Sequence, residues 1–99
     1  MCDNYSVGKA LKYSWDERKR QENISKRGLD IVLLADKVFA DPNVVIEPDV
    51  KKDYGEDRFH AYGMADNLRI RICFTLRGER LHLITVHRMH RKPWEKHYG

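Results

Sequence analysis

The sequence has little of what secreted, membrane-spanning and zinc-binding proteins need. Its two cysteines, Cys2 and Cys73, are too few for a disulfide framework and too far apart for a zinc-binding pair. Every apolar run is far shorter than the ~20 residues that cross a bilayer. Residues 1–12 lack the apolar core of a signal peptide. These absences favour one reduced, cytoplasmic domain over residues 1–99, without a membrane segment.

Acidic residues are scarce in the second half of the chain. Residues 51–99 contain 11 Lys and Arg against 6 Asp and Glu, whereas residues 1–50 contain 8 against 9. From residue 68 onward the acids are Glu79 and Glu95, against eight basic residues. A two-metal nuclease requires clustered carboxylates, which this half does not supply. The asymmetry instead predicts a polyanionic partner, and nucleic acid is the commonest one.

The first part of the chain predicts a short strand and two helices after an irregular lead-in over residues 1–10. Residues 11–15 alternate as an edge strand. A polar helix follows, with Ser14 or Asp16 as its N-cap and Gly28 at its end. The next helix, over residues 31–39, carries an apolar stripe that faces a core.

The second part predicts antiparallel strands and a helical tail. The strands are expected at about residues 44–48, 58–64, 69–75 and 81–86. In the last strand the alternation changes phase, which indicates either a bulge or cover on both faces. Pro93 is expected to be the first residue of a short final helix. The predicted fold class is α+β, with the helices on one face of a compact antiparallel sheet and the other face open.

Arginine and histidine side chains dominate that second face. Arg forms bidentate hydrogen bonds with phosphate, so the face is a candidate platform for RNA or DNA. The alternative is a solvated strand face whose charges bind no ligand. The candidates for phosphate contacts are Arg69, Arg71, Arg77, Arg80 and Arg88.

The segment His87-Arg88 offers a proton-transfer group beside a cation. Histidine titrates near neutral pH and can exchange a proton next to a phosphate, although such residues also occur without function at strand ends. The histidine spacing does not fit a zinc site, so neither a metal nor another cofactor is expected. Cys73 is expected to be a packed thiol.

An ordered set of motifs resembles the BrnT family of toxins. The opening resembles it in Tyr13-Ser14-Trp15-Asp16-Glu17, Lys19, Asn23, Lys26-Arg27-Gly28 and Asp30. The middle and end resemble it in Asp41-Pro42-Asn43, Glu56-Asp57-Arg58-Phe59, Gly63, Thr75, Arg77-Gly78-Glu79-Arg80, Leu83-Ile84-Thr85 and Arg88. Arg27 stands where the family usually has His, His87 where it usually has Arg, and Pro93 disturbs the register of the tail.

The resemblance implies a RelE-like ribonuclease fold and a type II toxin that cleaves RNA and arrests growth. It also implies a BrnA-like antitoxin that covers the toxin, represses operator DNA through its own DNA-binding part, and could hold a toxin dimer. RNA cleavage without metal uses the 2′-OH of the substrate. The expected catalytic residues are His87, Arg88, Arg77, Arg80, Arg58, Glu95 and Tyr98, and the expected RNA-binding residues are Arg69, Arg71, Arg91 and Lys92.

Among the expected catalytic residues, His87 is the first candidate for general acid–base catalysis, followed by Glu95 or Tyr98. The arginines are expected to hold the phosphate and stabilise its developing charge. A non-catalytic module that binds nucleic acid, or one that docks an acidic antitoxin segment, remains the alternative interpretation of the same basic face.

Overall fold

The computed structural model of the protein describes residues 12–51, 53 and 55–98. These residues form five strands and three helices in the order β1 (Lys12–Trp15), α1 (Glu17–Arg27), α2 (Ile31–Ala40), β2 (Val45–Asp49), β3 (Arg58–Ala65), β4 (Leu68–Arg77), β5 (Arg80–Arg88) and α3 (Arg91–Glu95). The α+β class is therefore confirmed, while the predicted lead-in over residues 1–10 lies outside the described residues.

One sheet contains all five described strands in the order β1-β5-β4-β3-β2. The pairs β2–β3, β3–β4 and β4–β5 are antiparallel, as predicted. Strand β1 is an edge strand, also as predicted, but it runs parallel to β5. Two-residue turns join β3 to β4 and β4 to β5, since Ala65 pairs with Leu68 and Arg77 pairs with Arg80.

Side-chain caps determine where the first two helices begin. Asp16, rather than Ser14, caps α1 by accepting hydrogen bonds from the N–H groups of Arg18 and Lys19, at 3.0 and 3.3 Å. Gly28 ends α1 in the left-handed conformation, with φ of 68°. None of the side chains of α1 is buried, so this helix is only weakly attached to the core. No helix in the described part of the chain combines the length and apolarity needed to cross a membrane.

Helix α2 supplies the apolar layer against the sheet. Ile31, Ala35 and Val38 are at most 3% exposed, which confirms the predicted stripe. They pack on the β3, β4 and β5 side chains that point to the same side of the sheet. A Cβ on Gly63 would lie 2.9 Å from both Cγ1 and the carbonyl oxygen of Val38. Glycine therefore allows α2 to approach β3 closely.

Strand β5 contains the bulge that the change of phase indicated. Cys73 pairs with Thr85 and Phe74 pairs with Leu83, so Ile84 has no partner in the ladder. The extra residue lets Leu83 and Val86 both face the core, at 2% and 0% exposure.

The tail corrects two predictions. Helix α3 begins at Arg91 rather than at Pro93. Proline is tolerated there because N–H groups in the first turn of a helix have no intrahelical acceptor. The second face of the sheet is also not fully open, because Trp94 is 5% exposed and the ring of His97 stacks on Tyr62 at 4.3 Å. The tail thus covers the part of this face around Tyr62.

Candidate functional site

The sheet face opposite α2 carries most of the candidate side chains, and we call it the basic face. Because paired residues of antiparallel strands share a face, the ladder arranges these side chains in cross-strand rows. Three rows cross β3, β4 and β5: Tyr62-Arg71-His87, His60-Cys73-Thr85 and Arg58-Thr75-His82.

Arg71 and His87 are in direct contact in the first row. Nη2 of Arg71 lies 3.3 Å from Nδ1 of His87. A guanidinium has only donors, so Nδ1 accepts this hydrogen bond and its lone pair points at Arg71. Partial burial lowers the pKa of His87, and the positive charges of Arg71 and Arg27 together with His60 lower it further. His87 is therefore a neutral imidazole at physiological pH, suited to take up a proton.

Arg27 reaches the same place from α1. Its Nη1 donates a hydrogen bond of 3.2 Å to the carbonyl oxygen of Val86, at the stretch of β5 beyond its pairing with β1. Arg27 was not among the predicted site residues. Arg27 could have been predicted from its motif, because Lys26-Arg27-Gly28 is one of the segments that resemble the family.

A second polar cluster lies beside this pair. Oδ2 of Asp49 lies 3.3 Å from Nε2 of His60, and both side chains and the Cys73 thiol place their polar atoms within 4.8 Å of one another. Burial lowers the pKa of His60 and raises the pKa of Cys73. The sequence pattern did not predict this cluster, because its members come from three strands, β2, β3 and β4.

Several predicted residues do lie on the basic face. Arg58 and Arg77 both approach Glu56, at 3.3 and 3.6 Å. Arg69 donates from Nε to the carbonyl oxygen of Met89 at 3.2 Å, beside the start of the tail. Arg80 shares this face through its pairing with Arg77. The ladder therefore brings five of the predicted arginines, Arg71 included, onto the face of His87.

The remaining predicted residues are placed differently. Arg88 pairs with Ile70 and so leaves the sheet on the side of α2, opposite His87. Arg91 and Glu95 form an exposed pair on α3 at 3.9 Å. Lys92 is exposed on the same helix.

Tyr98 follows α3 and holds the tail in place. Its hydroxyl donates a 2.7 Å hydrogen bond to Asp41, which raises the pKa of Tyr98. The same carboxylate oxygen of Asp41 accepts the N–H of Met64 at 2.7 Å, so it joins the end of α2, the end of β3 and the tail. Ring stacking of Trp94 on Tyr98, with centroids 4.5 Å apart, strengthens this attachment.

The amino-acid sequence of this chain matches one known protein family. The family model described as "Ribonuclease toxin, BrnT, of type II toxin-antitoxin system" matches residues 15–93. This match confirms the resemblance inferred from the ordered motifs. No curated protein and no solved structure matches the chain.

Proposed function

We propose that this chain, which belongs to the BrnT family of ribonuclease toxins of type II toxin–antitoxin systems, cleaves RNA. The proposed cleavage takes place on the basic face and needs no metal ion. The contact between Arg71 and His87 is the observation that carries the proposal. A permanent cation next to a neutral imidazole supplies both charge stabilisation and proton transfer.

The proposed reaction uses the 2′-OH of the RNA as the nucleophile. The 2′-oxygen forms a bond to the adjacent phosphorus while the bond from phosphorus to the 5′-oxygen breaks, which leaves a 2′,3′-cyclic phosphate and a 5′-OH. Nδ1 of His87 takes the proton of the 2′-OH after Arg71 turns its donor to the phosphate. The leaving 5′-oxygen receives a proton from a second group, for which Tyr98 and Glu95 are the alternatives; Tyr98 would first have to release its hydrogen bond to Asp41.

The arginines divide into two proposed roles. Arg71, with Arg58, Arg77 and Arg80 on the same face, holds the reacting phosphate and stabilises its developing charge. Positions farther along the RNA backbone are contacted by Arg69 and, on α3, by Arg91 and Lys92. Arg88, whose side chain leaves the sheet on the side of α2, can contact RNA only where the RNA passes the end of β5.

A cleavage assay with defined oligonucleotides tests this proposal. The purified protein should cut RNA in the presence of EDTA and should leave an all-deoxy oligonucleotide of the same sequence intact, because DNA has no 2′-OH. His87→Gln should lose cleavage, whereas His90→Gln, a change at the exposed start of the tail, should retain it. Cleavage that requires added metal, or equal cleavage of the two substrates, would refute the mechanism.

A BrnA-like antitoxin is the proposed protein partner. Type II systems pair each toxin with a protein antitoxin, and an acidic segment of such a partner would complement the basic face. The complex, which could contain two toxin chains, would contact operator DNA only through the antitoxin. Coexpression with the adjacent open reading frame should yield a copurifying complex and restore growth, and failure of both would contradict this pairing.

A further inference from the structure

We infer that Asp49, His60 and Cys73 form a binding site for a zinc ion. Their donor atoms, a carboxylate oxygen, an imidazole nitrogen and a thiol sulfur, lie within 4.8 Å of one another. Oδ2 of Asp49 and Nε2 of His60 are 3.3 Å apart. Two ligands that each lie about 2 Å from a tetrahedral zinc ion are separated by about that distance. The sulfur of Cys73, within 4.8 Å of both atoms, completes the set.

The chemistry of the three donors favours zinc over magnesium and calcium. Magnesium and calcium take oxygen ligands, and a buried thiol does not suit them. Zinc accepts sulfur, nitrogen and oxygen together. Among the described residues this cluster offers three ligands, so the fourth tetrahedral position would be taken by water or by a ligand from a partner.

The atoms that would not bind the ion are already held by neighbours. Nδ1 of His60 lies 3.4 Å from the hydroxyl of Tyr62, which leaves Nε2 for the metal. Oδ1 of Asp49 accepts the N–H of Lys51 at 3.2 Å, while Oδ2 faces His60. Metal-binding imidazoles and carboxylates are commonly oriented by such hydrogen bonds through their other polar atom. The site is therefore partly organised before an ion enters.

The buried cluster lies beside an acidic surface cavity that it shares through Asp49. The side chains of Asp49 and His60 are 6% and 16% exposed. Asp49 and Arg58 line a surface cavity of about 430 Å³ whose wall also contains Asp53, Glu56 and Asp57. The positive charges of Arg58 and Arg71 oppose the ion, but a carboxylate and a thiolate together balance the charge of Zn²⁺.

Zinc binding to the full chain tests this inference directly. In a Cys2→Ser background, in which Cys73 is the single thiol, the protein should bind one equivalent of Zn²⁺ in competition with a chromophoric chelator. With Co²⁺ as the probe, a thiolate-to-metal charge-transfer band should appear in the near ultraviolet. Cys73→Ser should abolish the band and lower zinc affinity by roughly 100-fold or more, and His60→Gln should lower the affinity similarly.

Two further variants keep the test decisive. Tyr62→Phe retains the ring but removes the hydroxyl near Nδ1, and it should weaken binding by about 10-fold. His90→Gln, outside the cluster, should bind zinc as tightly as the parent, with circular dichroism confirming that each variant is folded. Absence of the charge-transfer band, or equal zinc affinity in folded Cys73→Ser and its parent, would overturn the inference. Because the readout is metal binding, neither result depends on RNA cleavage.

Discussion

Replacing His87 with Gln should separate the chemistry of the basic face from its affinity for RNA. Burial, Arg71, Arg27 and His60 hold the pKa of His87 below the ordinary value of 6.5. At about pH 7.5 the side chain is therefore neutral and displaces no counterion from RNA. The variant should bind RNA with the parent affinity and the parent salt dependence. Cleavage should fall by about 10²–10⁴, the usual contribution of general acid–base catalysis.

Arg71→Gln is the variant to compare with His87→Gln. It removes a permanent positive charge whose Nη2 lies 3.3 Å from Nδ1 of His87. Its RNA affinity should fall, and the slope of log K against log salt should decrease in magnitude by about 0.7 for the lost phosphate contact on a single strand. The charge of Arg71 also lowers the pKa of His87. Its removal raises that pKa, and the variant should therefore need higher pH for the same fraction of neutral base.

The cleavage rate should depend on pH through the protonation of His87. A general base works in its deprotonated form, so the rate should decline as pH falls through the pKa of His87, below 6.5 in the parent. This acidic limb should move to higher pH in Arg71→Gln and disappear in His87→Gln. The assays are single-turnover cleavage of a labelled RNA across pH and equilibrium binding at several salt concentrations. A His87→Gln protein that loses affinity and rate in equal measure, or an Arg71→Gln protein with the parent salt slope, would refute the reasoning.

Three predictions concern stability, and urea unfolding measures each of them. Gly63→Ala should destabilise the fold by about 1–3 kcal/mol, because its Cβ would lie 2.9 Å from Val38 atoms, including a backbone oxygen. Thr75→Val should cost about 1 kcal/mol, because the hydroxyl of this 1% exposed residue donates to the carbonyl oxygen of Asp57. Trp94→Ala should cost about 3 kcal/mol, since its 5% exposed ring anchors the tail. An unchanged urea midpoint in any of these variants would contradict the corresponding packing argument.

The parts of the fold that local chemistry determines could be predicted from the sequence. Asp30 caps α2 through the N–H groups of Val32 and Leu33, and the apolar stripe behind it determines which side of the helix is buried. The alternation in β4 likewise placed Arg69 and Arg71 on one face. These features depend on residues within a few positions of one another, so the sequence pattern carries them.

The candidate site depends on pairing between distant segments, which periodicity does not encode. Asp49, His60 and Cys73 become neighbours only because β2, β3 and β4 pair in one particular register. A shift of one residue would turn a whole strand over and disperse the cluster. The sequence predicted that Trp94 packs the tail against the sheet, but a tail of five helical residues has no periodicity long enough to show which part of the sheet it covers.

The bulge in β5 connects the core to the chemistry of the basic face. Without it, strict alternation from Leu83 would turn Val86 toward the basic face and His87 toward α2. With Ile84 left unpaired, Val86 is fully buried and His87 lies opposite Arg71. The same irregularity thus satisfies the apolar side of the sheet and places the imidazole next to a guanidinium. Burial of Val86 is then a physical reason for His87 to stay where the proposed reaction needs it, because turning β5 over would expose an apolar side chain and bury a polar ring.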